Sequence, residues 1–140
     1  TYLDYQFHDK SDSLGNTPPM FSIYVMGKVL NWMESNGGVE EFERRAHVRS
    51  SLIYDVIDNS EGWYSSPVET KSRSLMNIIF HLPDEALEKQ FIEEAATIDL
   101  INLKGHRNVG GIRASLYNAM PIESVEILTS FMKDFLQNNR

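Results

Sequence analysis

Six residues behind a double glycine set the terms for this chain. After Gly110-Gly111, the apolar Ile112, Ala114 and Leu116 alternate with Arg113, Ser115 and Tyr117. A period of two puts the first three on one face of a strand and the second three on the other. If Ile112, Ala114 and Leu116 are buried, the guanidinium of Arg113 must project away from the core. The pattern predicts a sheet with helices over one face, its other face meeting water or a further domain. The surrounding window adds chemistry. The chain carries a formal charge of -7, yet no Asp or Glu occurs from Leu100 to Ile122. Lys104, His106, Arg107 and Arg113 fall in that window, and Gly105, Gly110 and Gly111 let the backbone turn sharply and approach a ligand closely. Arg grips carboxylate or phosphate with a planar fork. Two arginines on either side of a glycine turn therefore suit two anionic groups on one small molecule. Two solvated arginines beside surface strands would give the same pattern.

The rest of the chain supplies the helices. Thr1–Leu14 is polar and aromatic with little periodicity and reads as loop, with a short strand near Tyr2–Phe7. Gly15-Asn16-Thr17-Pro18-Pro19 is a stop-and-start signal in which Asn16 or Thr17 caps the next helix and the prolines fill its first turn. Phe21, Tyr24, Val25, Val29, Trp32 and Met33 recur at helical spacing, as core packing does, until Asn36-Gly37-Gly38 ends the run. A second helix is expected from Val39 to about Ile57, with Val39, Phe42, Ala46, Ile53 and Val56 inward and its charges, Arg49 included, ordered along the helix dipole. Asp58–Gly62 is a turn, and Trp63-Tyr64 begins an edge strand. Ser74–Leu82 has strand character. Pro83-Asp84-Glu85 opens a helix that turns Leu87, Phe91, Ala95 and Ile98 inward. Ile101 and Leu103 mark a short strand. A last helix starts near Pro121 on Val125, Leu128, Met132 and Phe135. Two helices followed by β-α-β-β-α predict an α+β, two-layer domain with helices packed on a small mixed sheet.

Several function classes are excluded or disfavoured. At 140 residues the chain is long enough for one domain with a real core. The acidic balance argues against a nucleic-acid partner, which needs a basic face. No apolar run is long enough to cross a bilayer, so no membrane role is expected. Cysteine is absent, which removes disulfides and thiolate metal sites and fits a reducing, cytoplasmic setting. The four histidines are too far apart in sequence for a local metal pair. The acidic segments Glu40–Glu43 and Glu85–Glu94 read as solvated helix faces. No general base stands beside a nucleophile, so these residues bind an anion but show no route to bond breaking. The start at Thr1, without an initiator Met, reads as mid-protein sequence and predicts a fragment or a processed product.

Beside this reading stands a resemblance. Asn16-Thr17-Pro18-Pro19, Ser22–Gly27, Ile57-Asp58-Asn59-Ser60, Lys104-Gly105-His106-Arg107, Gly110–Ala119 and Phe131–Phe135 closely resemble the C-terminal part of the phosphoserine aminotransferase family, in order and spacing, from Asn16 onward. The resemblance implies a homodimeric, pyridoxal-phosphate-dependent class-V aminotransferase with the aspartate-aminotransferase-like fold, of which residues 16–140 form the C-terminal small domain with its connecting helix. Residues 1–15 would then be a loop or linker from a large N-terminal domain. It implies amino-group transfer between glutamate and 3-phosphohydroxypyruvate, giving 2-oxoglutarate and phosphoserine in serine biosynthesis. Asn16 and Thr17 correspond to residues that reach the cofactor phosphate across the dimer interface. His106 and Arg107 correspond to the substrate-phosphate site, and Arg113 to the holder of the substrate α-carboxylate. The family's cofactor lysine lies in the N-terminal domain, and Lys28, Lys71 and Lys104 match no such position. The stretch alone is therefore expected to be inactive, and no catalytic residue is assigned within it. A stand-alone anion-binding or regulatory module is the alternative, as is an aminotransferase for a non-phosphorylated substrate. Against the latter, the clustered cations of Lys104–Arg107 would have nothing to neutralise.

Overall fold

A computed structural model describes residues 1–140. The chain divides into two compact units, residues 1–41 and 42–140, with the boundary inside the first turn of helix α3 (Gly38–Asp58). Each is described separately.

The first unit holds α1 (Tyr5–Lys10) and α2 (Met20–Ser35). A strand near Tyr2–Phe7 does not form. Asp4 instead accepts a hydrogen bond from the backbone N–H of Gln6 at 3.0 Å and starts a short helix there. α2 also departs from expectation. Its N-cap is Pro19, with no side-chain cap, so neither Asn16 nor Thr17 caps it and both prolines precede its first turn. None of its residues is buried; Phe21 is 79% exposed. Of the core stripe read from Phe21, Tyr24, Val25, Val29, Trp32 and Met33, all but the half-buried Met33 are exposed. The physical reason lies in the neighbours. Met20, Ile23, Met26 and Leu30 spread apolar surface around the helix, and such a helix needs cover on more than one side. Its C-terminus is as expected, with Asn36 as C-cap and Gly37 and Gly38 at positive φ.

The second unit is organised by α3 (Gly38–Asp58), β1 (Asn77–Phe80), α4 (Glu85–Ala96), β2 (Ile112–Ser115) and α5 (Ile122–Asn139). β1 and β2 pair antiparallel, Phe80 opposite Ile112 and Asn77 opposite Ser115. The sheet is antiparallel and two-stranded rather than mixed. Ile101–Leu103 does not join as a strand, because Asp99 and Asn102 take positive φ and break the extended run. Only Lys104 bridges Ile112, and Ser65 bridges His81 where an edge strand was expected from Trp63-Tyr64.

The alternation predicted for β2 holds, and β1, in the run read as a strand, alternates as well. Ile78, Phe80, Ile112, Ala114 and Leu116 are buried under the helices. Asp84 caps α4 by accepting from Leu87 N at 2.8 Å, and Phe91 and Ala95 turn inward. Ile98 lies beyond the helix end and is exposed, contrary to expectation. Val125, Leu128, Met132 and Phe135 of α5 close the core. Its centre is aromatic: the Phe91 ring lies 5.9 Å from Phe80, 4.8 Å from Phe131 and 5.1 Å from Phe135, edge to face. Tyr64 joins this cluster and donates its hydroxyl to Met132 O at 2.8 Å, and burial pushes its ionisation far up. No helix is long and apolar enough to cross a membrane.

Candidate functional site

Two places in the second unit present unpaired cations, and both follow from β2. The first is the loop that leads into it. Gly105 N donates to Gly111 O at 2.8 Å, closing the loop at its base. Val109 N and Gly110 N both donate to His106 O at 2.8 Å, which makes a tight turn inside it. Glycine is required at the base. A Cβ on Gly105 would collide with the carbonyl of Gly110, and one on Gly111 would stand 2.7 Å from Phe80 O and 2.8 Å from the His81 ring. Gly111 also has φ +68, which a side chain resists.

The loop holds out His106 and Arg107. Asn108 N donates to His106 Nδ1 at 3.2 Å. In the neutral ring this puts the proton on Nε2 and leaves that edge as a donor. Lys104, His106 and Arg107 line an open cavity of about 660 Å³. The acid-free window in the sequence is not acid-free in space, however, because α4 brings Glu85, Glu88 and Glu93 to the same cavity. The carboxylates are engaged elsewhere to different degrees. Glu93 lies 3.8 Å from Lys89, and Glu88 accepts from His81 Nδ1 at 2.9 Å. Neither Lys104 nor Arg107 takes part in the ion pairs of this region.

The second place is Arg113. Its backbone N–H donates to Leu103 O at 2.7 Å, and it stands opposite Ile79 in the sheet. Held on both sides, the residue is partly buried, and its Nε is buried without a hydrogen-bond partner. It lines a groove with Ile101, Leu103, Tyr117, Met120 and Leu128. Arg107 and Arg113 thus open into different cavities of this unit. The structure presents the two arginines apart rather than side by side. Asn16 and Thr17 belong to the first unit, where both are exposed; the Asn16 amide reaches only Thr17 O, at a long 3.4 Å. Released from capping, an amide and a hydroxyl stand available as neutral donors.

Sequence reasoning missed Arg49. It is 3% exposed, and its Nη1 donates to Met120 O at 2.8 Å and Asn118 O at 3.3 Å, tying α3 to the turn between β2 and α5. Burial, and then the Arg45 charge, hold its pKa below the usual guanidinium value. The signal was present in the spacing. Phe42, Ala46, Arg49, Ile53 and Val56 form one 4-3-4-3 stripe, so Arg49 occupies a core position.

With the geometry in place, the chain can be compared with known proteins. Residues 2–128 match the family described as aminotransferase class-V. The phosphoserine aminotransferase of Lysinibacillus sphaericus is 53% identical over 140 residues, all of this chain and 39% of the relative. Among solved structures, the phosphoserine aminotransferase of Bacillus circulans subsp. alkalophilus superposes with a TM-score of 0.87 at 47% identity, covering 97% of this chain and 38% of that one. A phosphoserine aminotransferase from Trichomonas vaginalis, solved with PLP bound, gives 0.80 at 34% identity, covering 93% and 37%. The chain therefore spans less than two fifths of the length of these relatives. Over nearly its whole length it has their fold, and it belongs to the class-V aminotransferases.

Proposed function

We propose that this chain is the C-terminal part of a phosphoserine aminotransferase that moves an amino group between glutamate and 3-phosphohydroxypyruvate, giving 2-oxoglutarate and phosphoserine. Residues 16–140 act as the small domain with its connecting helix, residues 1–15 link it to a large N-terminal domain, and the whole works as a cytoplasmic homodimer. The observation that carries the reading is the closed Gly105–Gly111 loop, which holds out His106 and Arg107 beside Lys104 with no ion pair of their own. A dianionic phosphate meets there the donors it needs. Arg113, rigid in β2, holds the α-carboxylate that both amino-acid substrates share.

Pyridoxal phosphate supplies the chemistry when bound, receiving the amino group from one substrate and passing it to the other. The residues present fit its phosphate: Asn16 and Thr17 offer donors that no helix cap uses. The anchoring lysine belongs to the N-terminal domain. Within this chain the work is binding and orientation. Thr17→Ala in the full-length enzyme should weaken cofactor retention several-fold while leaving the melting temperature of the apo form unchanged, since no cap is lost. Equal losses in dialysis against cofactor-free buffer and in apo melting would remove the phosphate role.

The test of the reading is selective. Arg107→Ala should slow the half-reaction with phosphoserine and spare that with glutamate, followed by cofactor absorbance in single turnovers. Arg107 is exposed, so the loss is about 1.5–3 kcal/mol, the range for a hydrogen bond to a charged group. Equal slowing of both substrates would sink the phosphate assignment.

A further inference from the structure

The cavity at the Gly105–Gly111 loop contains its own potential competitor for the substrate's phosphate. Glu85, Glu88 and Glu93 line it together with Lys104 and Arg107, and a carboxylate that swung onto Arg107 would neutralise the site. The three are not equivalent. The Glu93 side chain is 67% exposed and near Lys89, and Glu85 is exposed in the first turn of α4, where the helix dipole favours it. The Glu88 side chain is only 16% exposed, so solvent and salt screen its charge least. It is the carboxylate with most to offer Arg107, and it is the one the fold restrains. His81 Nδ1 lies 2.9 Å from Glu88 Oε1, and Leu82 N donates to the same oxygen at 3.4 Å. An ionised carboxylate only accepts, so Nδ1 is the donor.

His81 is itself fixed. Its backbone exchanges two hydrogen bonds with Ser65, at 2.8 and 3.0 Å, at the end of β1. Its ring occupies the space that a Cβ on Gly111 would need. One side chain thus touches both the base of the loop and the carboxylate beside it.

We propose that His81 is a positioning residue for the phosphate site: by holding Glu88 it keeps that carboxylate off Lys104 and Arg107, leaving the cations open to the substrate's phosphate. The inference rests on the phosphate reading of the loop and adds to it how the site's charge is kept available.

The experiment uses the full-length enzyme loaded with cofactor, and measures the apparent dissociation constants of phosphoserine and of glutamate in single-turnover half-reactions. His81→Ala should raise the constant for phosphoserine about fivefold, the upper range for an exposed competing ion pair, and leave that for glutamate within twofold. The double variant His81→Ala/Glu88→Gln should recover the phosphoserine constant. The two variants lack the same ring, so a packing defect beside Gly111 would weaken both alike. A double variant as weak as the single one overturns the proposal, as does His81→Ala acting equally on both substrates or on neither. Arg107→Ala in the same assay separates the two levels. If it is selective for phosphoserine while His81→Ala is silent, only this inference fails. If it is not selective, the phosphate reading fails beneath it.

Discussion

Arg113→Ala in the full-length enzyme is expected to slow the half-reactions with glutamate and with phosphoserine alike, each by roughly two to three orders of magnitude. The magnitude follows from the setting. Arg113 is partly buried, its backbone is fixed between β1 and Leu103, and its Nε is already out of water without a partner. Removing one member of a hydrogen-bonded charge pair at such a site costs about 2–5 kcal/mol. Generality follows from the ligand, because the α-carboxylate is the anion that both amino acids carry. Arg113→Lys should restore little, since an ammonium keeps the charge but not the fork. The check is single-turnover kinetics with each amino acid at saturating and sub-saturating concentration. If glutamate turnover survives while phosphoserine turnover collapses, Arg113 and Arg107 have been assigned the wrong way round.

Phe91→Ala should destabilise the second unit by about 3–5 kcal/mol, as truncation of a fully buried aromatic does. Phe91 has no exposed surface and is ringed by Tyr64, Phe80, Phe131 and Phe135. These neighbours come from α5, β1 and the segment before it, so the cavity left behind has no single flexible neighbour to collapse into it. Melting temperature should fall by about 10 °C or more for a chain of this size. Urea denaturation followed by tyrosine and tryptophan fluorescence measures the loss directly. A cost under about 1 kcal/mol, within the scatter of surface substitutions, would mean that the aromatic cluster is not the centre of the fold.

What was legible in the sequence was whatever depended on a period. Ile112, Ala114 and Leu116 announced a half-buried strand, and Val125, Leu128, Met132 and Phe135 announced the buried face of α5, because burial repeats at the spacing of the element. Arg113 was legible for the same reason, since it sits out of phase with the residues that pack. Local dihedral choices were not legible. Nothing in Leu100-Ile101-Asn102-Leu103 says that Asn102 takes positive φ, and that one turn of backbone removes a strand. Long-range neighbours were hidden too. The carboxylates of α4 come to the Gly105–Gly111 loop through folding alone, so a window free of acids in sequence acquired three of them in space. The exposed α2 shows the converse: helical spacing of Phe21, Tyr24 and Val25 states that a helix forms, not what covers it. Arg49 was legible and overlooked, because its charge was weighed above its place in the stripe.

The tight base of the Gly105–Gly111 loop also fixes how this chain can drift under mutation. A side chain at Gly105 meets the carbonyl of Gly110, and one at Gly111 meets the carbonyl of Phe80. Backbone obstacles of that kind cannot be removed by shrinking a neighbour, so no compensating second substitution is available at either position. Between them, Asn108 and Val109 are exposed and carry no such veto. Substitution is therefore resisted at the two ends that aim His106 and Arg107 and far less constrained at the loop's tip.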